Sequence, residues 1–173
     1  MFQKNLTIKK GNKGLLRFPT FLHDRAVFIF ELEVTAEMLT MCNDGWSKVL
    51  GIAYRYHHWN SVRLVHRPGE SFIYFGYYLY AKDESPQEDQ AQKSHLAKRD
   101  SYIMAKPGDI IKFKITPYSY RTDVLIEQFR SLILIDKVEA TLDPMNRRWP
   151  IYMLEPHHKC PVKNDTTYQI KLF

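Results

Sequence analysis

Alternation with a period of two restricts this chain more than any other feature. In IIKFKI (110–115), Ile111, Phe113 and Ile115 alternate with Lys112 and Lys114. Successive side chains on a strand point to opposite faces, so such a run buries one face and wets the other. Alternating or short apolar runs bounded by turn residues recur in RAVFIFELEVT (25–35), KVLGIAYRYH (48–57), SVRLVHR (61–67) and ESFIYFGYYLY (70–80). They recur again in YIMA (102–105), DVLIEQF (123–129), WPIYML (149–154) and TTYQIKLF (166–173). SLILIDKVEATL (131–142) fits strand or helix by period, and its isoleucines favour strand. Strands do not alternate with helices, which argues against a doubly wound parallel sheet. About eight to ten short strands predict one all-β domain over 1–173, an antiparallel β-sandwich of jelly-roll type.

The connections carry their own signals. "KPGD" (106–109) reads as a tight turn, and KKGNKGLLR (9–17) as a turn between strands. Gly76, inside a strand run, suggests a bulge or a close backbone approach. AKDESPQEDQAQKSHLAKRD (81–100) is polar and nearly free of aliphatics, a long surface loop with room for a helical turn near 87–98.

Charge and composition narrow the partners. The chain has net charge +6 and a pI near 9.2, which favours an anionic partner. Eleven tyrosines supply flat rings with polar tips. The opening MFQKNLTIKKGNKGLLRF lacks the apolar run of a signal peptide, and no run is long enough to span a bilayer, so a cytoplasmic protein without membrane contact is expected. Cys42 and Cys160 alone do not indicate a disulfide scaffold or a structural zinc site. No P-loop, GxGxxG, GxSxG or HExxH pattern is present, and neither a cofactor nor a metal is expected. No groove-reading element for sequence-specific DNA is evident.

The densest chemistry is YHHWNSVRLVHR (56–67). With a turn at His58-Trp59-Asn60, parity places Leu50, Ile52, Tyr54, Tyr56, Val62, Leu64, Ile73, Phe75, Tyr77 and Leu79 on a core face. Arg55, His57, Ser61, Arg63, Tyr74, Tyr78 and Tyr80 then share the opposite face. Arginine forks grip phosphate, and tyrosine rings stack on bases or sugars. The plainer alternative is a solvated outer face. His57-His58 and His157-His158 could hold a metal only if the two pairs met, since neighbours on a strand diverge. Cys160 stands close enough to both His157 and His158 to leave a Cys–His pair open.

The stretch GWSKVLGIAYRYHHWNSVRL (45–64) resembles a segment of small β-sandwich proteins of bacteria and their phages, with the pattern W-N-K-L-x-G followed by H-H-x-N-S-x-R. Here it reads Trp46 to Gly51, then His57 to Arg63. The C-terminal YMLEPHHKCPVKNDTTYQIKL departs from the proline–aromatic–glycine loop of that pattern, because its glycines are absent. The resemblance implies a compact sandwich and groups Lys48, His57, His58, Asn60, Ser61 and Arg63 as one set.

The combined expectation is a non-catalytic binder of a phosphorylated small molecule, with a nucleotide-derived signal as the favoured class, in a phage setting an anti-defence sponge. Lys48, Arg55 and Arg63 would neutralise phosphate, His57, Asn60 and Ser61 would exchange hydrogen bonds, and Tyr74 and Tyr78 would stack. A carbohydrate-binding sandwich, a histidine-dependent phosphodiesterase or other hydrolase, and a protein–protein inhibitor are the alternatives, and a homo-oligomer is left open. Limited proteolysis should cut first within 81–100, which has few residues to anchor it in a core. A first cut within 50–80 would refute the strand assignments there.

Overall fold

The computed structural model describes the backbone of residues 2–14, 18–21, 27–42, 45–54, 59–80, 102–142, 144 and 150–173. The polar stretch 81–100 lies outside the described residues. The first six strands are β1 (Phe2–Ile8), β2 (Phe18–Phe21), β3 (Phe28–Glu33), β4 (Ser47–Tyr54), β5 (Trp59–Pro68) and β6 (Ile73–Tyr80). The rest are β7 (Tyr102–Ala105), β8 (Ile110–Pro117), β9 (Thr122–Arg130), β10 (Ile133–Leu142), β11 (Pro150–His157) and β12 (Thr166–Leu172). One 3-10 turn, Ala36–Thr40, is the helical element among the described residues.

The strands form two six-stranded antiparallel sheets, in the orders β1-β12-β3-β8-β9-β10 and β2-β11-β4-β5-β6-β7. The chain repeatedly passes from one sheet to the other, so strands distant in sequence become neighbours, β1 beside β12 and β4 beside β11. This is an all-β sandwich with jelly-roll character. The alternating positions meet between the sheets. Phe28, Phe30, Ile111, Phe113 and Ile115 from the first sheet face Leu50, Ile52, Val62, Leu64, Ile73 and Phe75 from the second, in one buried cluster. Burial of each such side chain contributes on the order of 1.5–3 kcal/mol. The KPGD turn closes as expected: Asp109 donates its backbone N–H to the Lys106 carbonyl, and Gly108 takes the positive φ that glycine accepts without strain.

Several details depart from the sequence reading. Trp59 and Asn60 are strand, not turn: Trp59 pairs with Tyr54, and Asn60 is the extra residue of a β-bulge before Ser61 pairs with Ala53. Gly76 pairs in unbroken register with Val65 and Tyr102, so it marks no bulge. A close approach is found at Gly51, where a β-carbon would collide with the backbone of Val62 and Arg63 on the neighbouring strand. The two cysteines, far apart in sequence, form a disulfide. It ties the end of the 3-10 turn to the β11–β12 connection. A count of two cysteines carries no information on whether the fold brings them together. Cys160 is therefore not available as the thiol of a Cys–His pair.

Gly51→Ala should destabilise the domain by about 1–3 kcal/mol, the usual cost of overpacking. Denaturant unfolding of the variant measures it. An unchanged midpoint would mean that β4 and β5 can separate freely at this point.

Candidate ligand-binding face

The outer face of the second sheet is built by β4, β5 and β6. Register sets Gly51 beside Arg63 and Arg63 beside Tyr78, then Val65 beside Gly76 and Arg67 beside Tyr74. These residues point away from the core that holds Val62 and Leu64, as parity requires. The face is nevertheless not simply solvated. Arg63 is 2% exposed and Tyr78 3%, and Ser61 and Val65 are also buried. Val65 and Tyr78 form a second small apolar cluster with Trp46, separated from the main core by the sheet itself.

Lys48 reaches this face through a defect. Strict alternation from Leu50 and Ile52 would send Lys48 into the core. A bulge at Val49 lets Val49 and Leu50 both turn inward and leaves Lys48 opposite Val65. Its ammonium lies 5.0 Å from the centre of the Tyr78 ring, a cation–π arrangement. Tyr78 thus carries Lys48 on its ring.

Four half-buried rings continue the face toward the β5–β6 turn. Tyr74 is their hub, with Phe72 at 4.7 Å and Tyr102 at 5.1 Å, both edge-on, and Trp46 at 6.5 Å. Edge-to-face contacts on two sides fix the orientation of the Tyr74 ring. Beside it, Arg67, Gly69, Glu70, Phe72 and Tyr74 line an open groove of about 350 Å³. A groove of similar size on the outer face of the first sheet is lined by Lys114, Asp123 and Glu139, and two carboxylates against one ammonium suit an anion poorly.

No protein-family model matches this chain, and no curated protein matches it. Among solved structures it is similar to an alginate lyase from Klebsiella pneumoniae, with 11% identity and a TM-score of 0.43 over 85% of this chain and 57% of that one. The chain thus spans little more than half the length of that protein.

Beneath the face, a polar chain crosses the core. The Tyr168 hydroxyl on β12 lies 2.7 Å from His66 Nε2 on β5 and 2.9 Å from His158 Nε2. His158 Nδ1 lies 2.8 Å from Ser47 Oγ. All four residues are buried. One hydroxyl has one proton, so hydrogen counting orders the relay. If Tyr168 donated to His66, the N–H at His66 Nδ1 would be buried with no partner among the described residues. The opposite order orphans only a lone pair, which costs less. Hence His66 Nε2–H donates to Tyr168, Tyr168 donates to His158 Nε2, and His158 Nδ1–H donates to Ser47. Burial pushes the His66 pKa well below its usual value, with His158 adding to it. Burial, then the neighbouring His157, brings His158 down to about 4. Burial raises the Tyr168 phenol well above its usual range.

Of the residues singled out from sequence, the structure brings together Lys48, Ser61, Arg63 and Tyr78, with Tyr74 farther along β6 on the same face. Asn60 is placed by its backbone at the bulge next to them. Arg55, His57 and His58 lie outside the described residues. His157 is exposed and His158 buried, so that pair diverges as neighbours on a strand must. Among the described residues no group of three or more His, Cys, Asp or Glu is placed to hold a metal. Sequence reasoning overlooked Arg67, though simple alternation from Arg63 places it on this face. It also overlooked Trp46, Phe72 and Tyr102 as ring neighbours of Tyr74.

The relay makes stability depend on pH with a definite sign. An unfolded histidine takes a proton near 6.5, whereas native His158 resists until about 4. The unfolded state binds more protons between those values, so stability is full above pH 6.5 and falls as pH drops toward 4. His158 alone should account for a loss of about 3 kcal/mol. Tyr168→Phe should orphan both imidazole Nε2 atoms and cost about 1–3 kcal/mol for each. Denaturant midpoints measured across this pH range test both statements, and a flat profile in the wild type would refute the neutral relay.

Proposed function

We propose that the outer face of the second sheet binds an anionic, ring-bearing small molecule without consuming it, and that a nucleotide or nucleotide-derived signal is the class that fits. The observation that carries this reading is the placement of Lys48, Arg63 and Arg67 on one face with the ring cluster around Tyr74. Cations supply phosphate affinity, and an oriented aromatic edge supplies a stacking wall for a base. The buried hydroxyl of Ser61, with no hydrogen-bond partner among the described residues, adds an unused polar group beside Arg63. Tyr78 acts in this scheme as the support of Lys48. His66 and His158 are committed to the buried relay, which argues against either as a general acid or base for a substrate on this face. Sequestration of a signal is the use that such a binder would serve. The Cys42–Cys160 disulfide favours an oxidising compartment over the cytoplasm as its setting.

The row of four rings favours a second reading, a carbohydrate ligand, since sugars also lie on aromatic surfaces. Released material distinguishes the two. The purified protein is denatured, and small molecules are identified by mass spectrometry. A phosphorylated compound recovered intact supports the first reading, a neutral saccharide the second. With the recovered compound, Lys48→Ala and Arg67→Ala should each weaken binding about ten- to a hundredfold, the loss of one charge-assisted contact. Melting temperatures should stay close to that of the wild type, because both ammonium and guanidinium lie outside the core. Calorimetric titration reads the affinity, and unchanged binding in both variants would remove this face from consideration.

A further inference from the structure

The flank where β7 and β10 end the two sheets carries five of the nine exposed large hydrophobic residues among the described ones: Met104, Leu132, Ile133, Leu134 and Ile135. Four of these are consecutive. Arg130 pairs with Ile133, so Ser131 and Leu132 alone form the β9–β10 turn. Both have positive φ, at 48° and 66°. Two-residue turns with positive φ at both positions strongly prefer Asn and Gly. A leucine there costs about 1–2 kcal/mol of backbone strain. Leu132 is also 96% exposed. The chain therefore accepts backbone strain and apolar exposure at the same residue.

The hairpin is held rigidly. Buried Asp109 accepts from Arg130 Nε at 2.8 Å and Nη2 at 2.9 Å, and from Gln128 Nε2 at 2.7 Å. Gln128 also donates to the Met104 carbonyl, tying the two sheet edges together. A bulge between Leu134 and Asp136 breaks alternation, so Ile133, Leu134 and Ile135 are all exposed. Among the described residues β10 pairs only with β9, which leaves one row of its main-chain groups for another strand.

We propose that this edge is the interface of a homodimer, in which two copies pair β10 antiparallel across a two-fold axis at Val138. The charges of the strand specify this occupant. Lys137 and Glu139 form an exposed ion pair within each copy at 2.9 Å, and such pairing sets this Lys137 against the partner's Glu139, and Glu139 against the partner's Lys137, so that the two pairs close into one four-charge network across the axis. An isologous strand–strand contact also satisfies the free main-chain row with an identical row. Counted from the axis, Leu134 of each copy lies near the end of the partner's β10, and the apolar tip Leu132-Ile133 reaches past that end. A bilayer surface fits less well, because Asp136 and Glu139 stand beside Lys137 and the rim has no net basic charge.

Sedimentation equilibrium on the full chain tests this. The wild type should be a dimer at micromolar concentration. Leu132→Asn and Ile133→Lys should each weaken it at least about tenfold, and Leu132→Asn should also raise the melting temperature by relieving the turn. Lys137→Glu should weaken the dimer, and the exchange Lys137→Glu with Glu139→Lys should restore it. A monomeric wild type overturns the proposal, and co-sedimentation of that monomer with phosphatidylcholine–phosphatidylserine vesicles would assign the tip to lipid instead. A dimer unaffected by Leu132→Asn and Ile133→Lys, or one whose charge exchange fails to restore it, overturns this interface or this register.

Discussion

The hydroxyl of Tyr168 spans the gap between the two sheets. Most of the interior is apolar contact, which fixes how close the layers come but allows them to slide. Tyr168 adds direction. Its oxygen sits between an imidazole on β5 and one just beyond β11, and the second imidazole continues to Ser47 on β4. β4 and β5 of the second sheet, and the segment that follows β11, are thereby registered against β12 of the first. A slip of either layer would leave buried polar groups unpaired, which is costly in a low-dielectric interior. The aromatic and basic face above β4 and β5 inherits its precision from this anchor below it.

The bulges do complementary work. One at Val49 turns a lysine out of the core, and one at Asn60 resets β5 before Ser61. The first interrupts alternation at the point where a polar side chain must change faces, as bulges near binding sites commonly do. Gly51 lies between them, and its missing side chain lets β4 approach β5 closely enough to keep the pairing intact.

Much of the architecture was legible because alternation is a direct record of burial. IIKFKI reads as a strand, and its isoleucines and phenylalanine are where the core is. Two strands were not legible. Among its described side chains FQKNLTI contributes Leu6 and Ile8 to the interior, and the polar run Gln3 to Asn5 hides the period. FPTF is a four-residue edge strand, the one place in a sheet where a proline such as Pro19 is readily accepted. Parity placed Ser61, Arg63, Tyr74 and Tyr78 on one face correctly, since nothing interrupts β5 and β6 between them. It could not show that Arg63 and Tyr78 would be covered, nor that Lys48 would join them, because burial of an outer face and a bulge both depend on tertiary packing. The relay and the disulfide join residues 102 and 118 positions apart, and no local pattern announces such partners.

The disulfide also divides the chain mechanically. It closes residues 42 to 160 into a covalent ring that contains β4 through β11, while β1, β2, β3 and β12 lie on the two free arms. Phe2 and Leu172 are paired neighbours, so a pull on the two ends first unzips β1 from β12 one residue pair at a time. Beyond that point the ring bears the load through its sulfurs, and about 400 Å of chain contour stays out of reach of the force. The whole candidate binding face lies inside that ring. Tension that strips the outer arms therefore leaves the ends of the ligand-bearing strands covalently closed on one another.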